Sequence, residues 1–175
     1  MLFIHTGQTG VERGATRAAM LLGHVTGGFC TPRLRDELGL IPPEIAATLT
    51  PSATEGARAA LGRTLQSASA LIMIVRDRKR VSDEAGFASL LRDARRLAIP
   101  SLVADPSTNA SVLVDWVRTN IANEDVARLL VTGPRETRWP AGETIAWRLI
   151  FSLLTDRIPS NELEIPAHSG HRTDI

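Results

Sequence analysis

Short apolar runs alternate with amphipathic stretches along most of this chain. The apolar runs predict strands over residues 2–6, 70–75, 100–104 and 128–132, with a further short strand within 23–28. Apolar residues three and four positions apart predict helices over 11–22, 53–67, 111–121 and 141–154, and one that runs from Ser82 or Asp83 through 97. Strands without polar alternation need cover on both faces, so the pattern indicates α/β architecture with a parallel sheet between helices.

The periodic pattern ends near residue 155. Residues 1–155 are long enough for one domain with a substantial core, so we expect a single domain there. Residues 156–175 are rich in Pro, Ser, Asn and His without apolar periodicity, which predicts a flexible tail. The proline-rich and charged residues 29–51 form a long connection, which is either functional or loosely ordered.

Composition excludes several classes of protein. The net charge of +1 gives no global field for nucleic acid, and the basic run 76–80 lacks interleaved aromatic residues, so a nucleic-acid partner is disfavoured. Cys30 is the only cysteine and the four histidines are scattered, so we expect no disulfide and no metal site. Without a secretory signal or a long apolar run, we expect a cytoplasmic protein with no membrane contact.

The first candidate for ligand chemistry is the run Thr6-Gly7-Gln8-Thr9-Gly10-Val11-Glu12-Arg13, which follows the first apolar strand. Glycines at a strand–helix junction let a ligand approach the backbone, and the N–H groups of residues 8–11 would then bind a phosphate or carboxylate. Thr9 would add a hydroxyl donor. Arg13 would either reach the same anion or pair with a carboxylate. The alternative is a tight turn without a ligand.

A second glycine loop, Gly133-Pro134-Arg135-Glu136, follows another buried strand. Because ligands of parallel sheets bind at the carboxyl ends of the strands, the two loops predict one shared pocket for a phosphate-bearing or nucleotide-like ligand. Arg135 would neutralise the anion and Glu136 would accept from a sugar hydroxyl or base. The alternative is a helix entry with a solvated arginine.

Evidence for catalysis is poor in this sequence. No Ser-His-Asp or Cys-His arrangement and no pair of carboxylates can be assembled, and Glu136 is only a weak candidate for a catalytic carboxylate. Cys30 is either a small buried hydrophobe or a soft ligand for a metal or molybdenum centre.

Four motifs in order resemble the molybdenum-cofactor carrier family, within the SLOG (lysine-decarboxylase-like) superfamily of Rossmann-like proteins. The glycine run 6–13 matches the family's Gly-Gly-Gln-Thr-Gly-Val-Asp-Arg, and Gly27-Gly28-Phe29-Cys30 matches its Gly-Gly-aromatic-Cys. Ile41-Pro42 and the segment 129–137 match the family's Ile-Pro pair and its Gly-Pro-Arg-Glu-Ser after a strand. The resemblance covers about residues 1 to 155. It implies a Rossmann-like three-layer sandwich with a mostly parallel central sheet, and it adds Cys30 and Arg35 to the candidate binding residues.

Three functions follow from this reading. The resemblance implies a carrier or sensor for a small nucleotide-like molecule, with molybdenum cofactor (molybdopterin) as its cargo. A phosphoribohydrolase-like nucleotide hydrolase is the enzymatic alternative. The third is a degenerate partner-binding domain, favoured by the acidic pair Asp83-Glu84 where the family carries a Gly-Gly-Thr turn. We expect a homo-oligomer, because Rossmann-like domains of this size often pair through a helix face.

Overall fold

Five parallel strands form the central sheet of this protein. The computed structural model describes residues 1–53, 56–83, 85–121 and 126–155. The strands are β1 (Leu2–Ile4), β2 (Thr26–Gly27), β3 (Phe29–Cys30), β4 (Thr50–Pro51), β5 (Ala70–Ile74), β6 (Ser101–Ala104) and β7 (Arg128–Thr132). The sheet order is β2-β1-β7-β5-β6, while β3 and β4 form a small parallel sheet of their own. Every neighbouring pair of the central sheet is parallel, which confirms the predicted sheet.

Helices cover both faces of the sheet. They are α1 (Val11–Leu21), α2 (Pro43–Ala46), α3 (Ala57–Gln66), α4 (Ala85–Arg96), α5 (Ala110–Ile121) and α6 (Gly142–Thr155). In β5, Ile72 and Ile74 lie in the core that α1, α5 and α6 cover. Leu71 and Met73, which alternate with them, lie in the core that α3 and α4 cover. The result is the predicted three-layer α/β sandwich.

The connection over residues 29–51 is more ordered than its sequence suggests. It contains β3, β4 and the four-residue helix α2. Beneath them lies a small apolar cluster of Cys30, Ile41, Ile45 and Leu49. Elements of two to four residues are too short to show a hydrophobic period, which is why the pattern did not predict them.

Two predictions need adjustment or lie outside the described residues. The helix predicted from Ser82 or Asp83 begins instead at Ala85, because Arg78–Asp83 forms a 3-10 turn. Glu84, the side chain of Asp83 and the predicted tail 156–175 lie outside the described residues. No helix in the described part of the chain has the length and apolar character needed to cross a membrane.

Candidate functional site

A cleft of about 1020 Å³ lies where the carboxyl ends of β1 and β7 meet the helices α3 and α4. The turns after the two strands contribute Thr6, Gln8 and the segment Gly133 to Arg135, while Glu12 comes from the first turn of α1 and Thr132 from the end of β7. The two helices contribute apolar side chains such as Leu61 and Phe87, together with Arg58 and Arg96. Both glycine loops therefore border one cleft at the edge of the sheet where ligands of such folds bind.

The buried carboxylate of Glu12 organises the cleft beside β1. Its Oε2 accepts hydrogen bonds from the N–H and hydroxyl of Thr6, both at 2.7 Å, and from the N–H of Gln8 at 3.4 Å. Its Oε1 accepts from the hydroxyl of Thr132 at 2.8 Å, which joins β1 to β7. Backbone N–H groups of the first loop thus serve a carboxylate that belongs to the protein itself.

The two glycines of the first loop admit protein atoms. Gly7 and Gly10 have positive φ angles of 77° and 71°. A Cβ at Gly7 would come within 2.7 Å of Leu49, and one at Gly10 within 2.6 Å of the carbonyl oxygen of Pro134. The N–H of Val11 donates to that same carbonyl at 3.3 Å. The close approach predicted at these positions is therefore made by protein atoms, from Leu49 at Gly7 and from the second loop at Gly10. Ligand contact at residues 8–11 stays a prediction.

Thr9 ties the two loops to a third segment. Its hydroxyl donates to Oε1 of Glu37 at 2.6 Å and accepts from the N–H of Glu136 at 3.2 Å. The N–H and hydroxyl of Thr137 also donate to Glu37, at 3.0 and 2.7 Å. Desolvation alone would raise the pKa of Glu37, but these hydrogen bonds and the charge of Arg135 outweigh it and lower the pKa below its ordinary value.

Arg13 pairs with a carboxylate, the second of the two roles predicted for it. It forms a buried ion pair with Asp36, whose side chain is only 1% exposed. Oδ1 of Asp36 also accepts the N–H groups of Leu38 and Gly39, at 2.7 and 3.0 Å. The pair therefore anchors the turn 36–39 to α1, and Arg13 does not line the cleft.

Cys30 and Arg35 lie away from the cleft. Cys30 is fully buried in the small cluster beneath β3, and burial raises the pKa of its thiol, which disfavours the thiolate that a soft metal needs. Arg35 is exposed and pairs with Leu40 through a backbone bridge. Among the described residues no three His, Cys, Asp or Glu side chains form a group that could hold a metal ion.

Comparison with known proteins identifies the family. The model of the circularly permutated YpsA SLOG family matches residues 3–154. The chain belongs to this family. A crystal structure described as a putative molybdenum carrier protein, from Syntrophus aciditrophicus SB, has the same fold, with a TM-score of 0.73 at 19% identity. The match covers 86% of this chain and 93% of that one. No curated protein matches the sequence.

In this SLOG protein the cleft contains some of the predicted binding residues. Gln8, Gly133, Pro134 and Arg135 line it, whereas Glu136 does not. Gln8 is 6% exposed, and its side-chain amide nitrogen has no hydrogen-bond partner among the described residues. A buried donor without a partner is costly, so this nitrogen needs an acceptor that the described residues do not supply.

Sequence reasoning missed other residues of the cleft. Glu37 and Arg138 line it, and so do Arg58 and Arg96 from α3 and α4. Glu12 stood inside the first glycine motif, and its position in the first turn of a helix after a strand was a signal for a buried carboxylate. The arginines of α3 and α4 gave no signal, because only the packing of these two helices against the sheet places them at the cleft.

His5 at the end of β1 shapes the turn of this SLOG protein without facing the cleft. Its Nδ1 accepts the N–H of Gly7 at 3.1 Å, and its Nε2 lies 3.5 Å from the hydroxyl of Thr48. The hydrogen bond from Gly7 requires an unprotonated Nδ1. Burial lowers the pKa of His5 to about 4, so the ring is neutral at physiological pH.

Proposed function

We propose that this protein binds a small, anionic, nucleotide-like molecule in the cleft and carries or senses it without chemical change. The observation that carries the proposal concerns Gln8, a residue that lines the cleft. Its side-chain amide nitrogen is buried and has no hydrogen-bond partner among the described residues. An acceptor atom of a ligand would remove the cost of about 1–3 kcal/mol that an unsatisfied buried donor imposes.

Charge at the cleft supports an anionic ligand. Arg135 and Arg138 lie in the segment between β7 and α6 and line the cleft. Among the described residues the side chain of Arg138 has no ion-pair partner. Of the carboxylates at the cleft, Glu12 is already saturated by four donors from the protein. Arginine presents a planar set of donors that fits phosphate and carboxylate oxygens.

The walls of the cleft suit a planar ring beside that anion. Leu61 of α3 and Phe87 of α4 are partly buried side chains that line it. A flat heterocycle would contact these apolar groups while its phosphate met the arginines. Molybdenum cofactor, a pterin that carries a phosphate, has this chemistry, and the structural neighbour is described as a putative molybdenum carrier protein. We therefore propose it as the first cargo to test.

Binding without hydrolysis is the better-supported role. A phosphoribohydrolase would need a free carboxylate beside the sugar, and Glu136, the candidate from sequence, does not line the cleft. The backbone N–H of Glu136 donates a hydrogen bond to the hydroxyl of Thr9. A cytoplasmic location and a homo-oligomeric state remain predictions from sequence.

The experiment is native mass spectrometry of the protein purified gently from its own host, with identification of any released small molecule. Release of a pterin or a nucleotide, with the mass of the protein itself unchanged, would support the proposal. The proposal would be overturned if the purified protein contains no bound small molecule and still binds none after incubation with molybdenum cofactor, AMP and GMP. That result would favour a partner-binding domain. Release of free base from the nucleotides would overturn the proposal in favour of a hydrolase.

Two arginine variants localise the binding to the cleft. We expect Arg135→Ala to weaken binding of the identified molecule by about 1.5–3 kcal/mol, the range for a hydrogen bond to a charged group. Arg148→Ala removes an exposed arginine of α6 that does not line the cleft, so it should bind normally. Equal affinities of the two variants, measured by calorimetry, would remove Arg135 from the site.

A further inference from the structure

Donors from two separate loops converge on the carboxylate of Glu37. Oε1 of Glu37 accepts the hydroxyl of Thr9 at 2.6 Å and the N–H of Thr137 at 3.0 Å, and Oε2 accepts the hydroxyl of Thr137 at 2.7 Å. The positive charge of Arg135 adds electrostatic attraction. Hydroxyl and backbone donors beside an arginine are the groups that proteins use to bind phosphate and carboxylate oxygens. In this protein one of its own side chains fills that position.

Glu37 reaches these donors from the tip of a tight hairpin. Arg35 and Leu40 pair as an antiparallel bridge, and the N–H of Asp36 donates to the carbonyl of Gly39 at 2.9 Å. The buried ion pair of Asp36 holds this turn against α1. Because the backbone of the hairpin is fixed by these contacts, rotation of the Glu37 side chain alone would free the three donors.

The same cleft contains independent evidence for a ligand. Glu37 and Gln8 both line it, and the unpartnered amide nitrogen of Gln8 is not satisfied by the carboxylate of Glu37. Gln8 therefore supplies one donor without an acceptor, while Glu37 accepts three hydrogen bonds at the edge of the same cleft. The difference indicates that an incoming anion would compete with Glu37 for the occupied donors.

We propose that Glu37 is an internal competitor, and that Thr9, Thr137 and Arg135 form an oxyanion subsite from which a phosphate or carboxylate of the ligand displaces it. This inference rests on the proposed binding function and adds to it the place where the anionic group binds and a device that limits its affinity. On binding, the anion accepts the three hydrogen bonds and the Glu37 carboxylate moves into water. Anions with two or more oxygens in one plane fit the donors best, because both carboxylate oxygens of Glu37 are used.

The test measures binding of inorganic phosphate and of AMP by calorimetry near neutral pH. We expect Glu37→Ala to bind both about tenfold more tightly than the unchanged protein, since removal of a competitor that holds the site about nine-tenths of the time raises the apparent affinity by that factor. Glu44→Ala is the matched control, because Glu44 is exposed on α2 and does not line the cleft. Adding Thr137→Val to Glu37→Ala removes one donor, so the gain should disappear.

Each outcome decides the inference. Weaker or unchanged binding by Glu37→Ala would overturn it. If the alanine variant is unfolded, Glu37→Gln removes the charge and one acceptor oxygen of the competitor, and this variant should also bind more tightly than the unchanged protein. If AMP binding depends on Arg135 but not on Glu37, the competitor role of Glu37 is overturned and the proposed function is retained. No binding of AMP, phosphate or molybdenum cofactor by any variant would overturn both. Tighter phosphate binding by Glu37→Ala alone would support the subsite independently of the cargo.

Discussion

Acidification should destabilise this protein through the buried side chain of His5. The ring is 2% exposed, and its Nδ1 accepts the N–H of Gly7. A proton on Nδ1 would place its N–H group against the N–H group of Gly7, so that this buried hydrogen bond would be lost. Burial lowers the pKa of His5 in the folded state to about 4, whereas the unfolded chain binds the proton at the ordinary value of 6.5.

The size of the effect follows from the two pKa values of His5. Because the pKa is lower in the folded state, the unfolded state takes up more protons as the pH falls below 6.5, and stability falls with it. Linkage gives a loss of about 2 kcal/mol between about pH 7.5 and about pH 5. Glu37 and Asp105 have lowered pKa values, so their stabilisation is lost only at lower pH, as it falls through the carboxylate range.

Urea unfolding followed by tryptophan fluorescence measures this loss, because Trp139 is buried in the core. The matched variant is His5→Asn, whose amide oxygen can accept the N–H of Gly7 but does not titrate. We expect the variant to lose much less stability than the unchanged protein between the two pH values. Equal losses in the two proteins would refute the assignment of the pH dependence to His5.

Two further stability predictions use matched pairs and the same urea assay. Gly14→Ala should destabilise the protein by about 3 kcal/mol, because a Cβ there would overlap the carbonyl of Glu143 and force α1 from α6. Gly62→Ala, also inside a helix but with open space around it, should stabilise by about 0.5–1 kcal/mol, and similar effects at the two glycines would contradict the packing argument. Arg13→Met should cost about 3–5 kcal/mol by leaving the carboxylate of Asp36 buried without its ion-pair partner. The double variant Arg13→Met/Asp36→Asn should lose less unfolding free energy than Arg13→Met, because its Asp36 charge is also removed. An equal or greater loss in the double variant would rule out the buried charge as the cause.

The sheet and its helices were predictable because their signal is local. The run from Ala70 to Val75 is apolar at every position, and only a strand covered on both faces needs that pattern. The helix over 141–154 likewise appears as α6 within one residue at each end. Both motif loops were placed correctly at the carboxyl edge of the sheet, since parallel strands end on the same side.

The interior of the site was less predictable because it depends on contacts distant in sequence. Gly10 matched a ligand-binding pattern, but the atoms that approach it belong to residues 134–136. Glu37 lies 28 positions from Thr9 and 100 from Thr137, within a connection that shows no period. A glycine in a motif shows that something approaches the backbone closely. Only the fold shows whether that is a ligand or the protein.

The pairing of β1 with β7 determines when this protein can fold during synthesis. Phe3 lies beside Leu129 in the middle of the sheet, so β1 has to wait for a strand that is made after β2, β5 and β6. Until then β1 has only the two-residue β2 as a neighbour, and the apolar edges of β1 and β5 are open to other chains. The sheet of the nascent chain can therefore be completed only when residues 128–132 have emerged from the ribosome. Binding of chaperones to the nascent chain should end at that point.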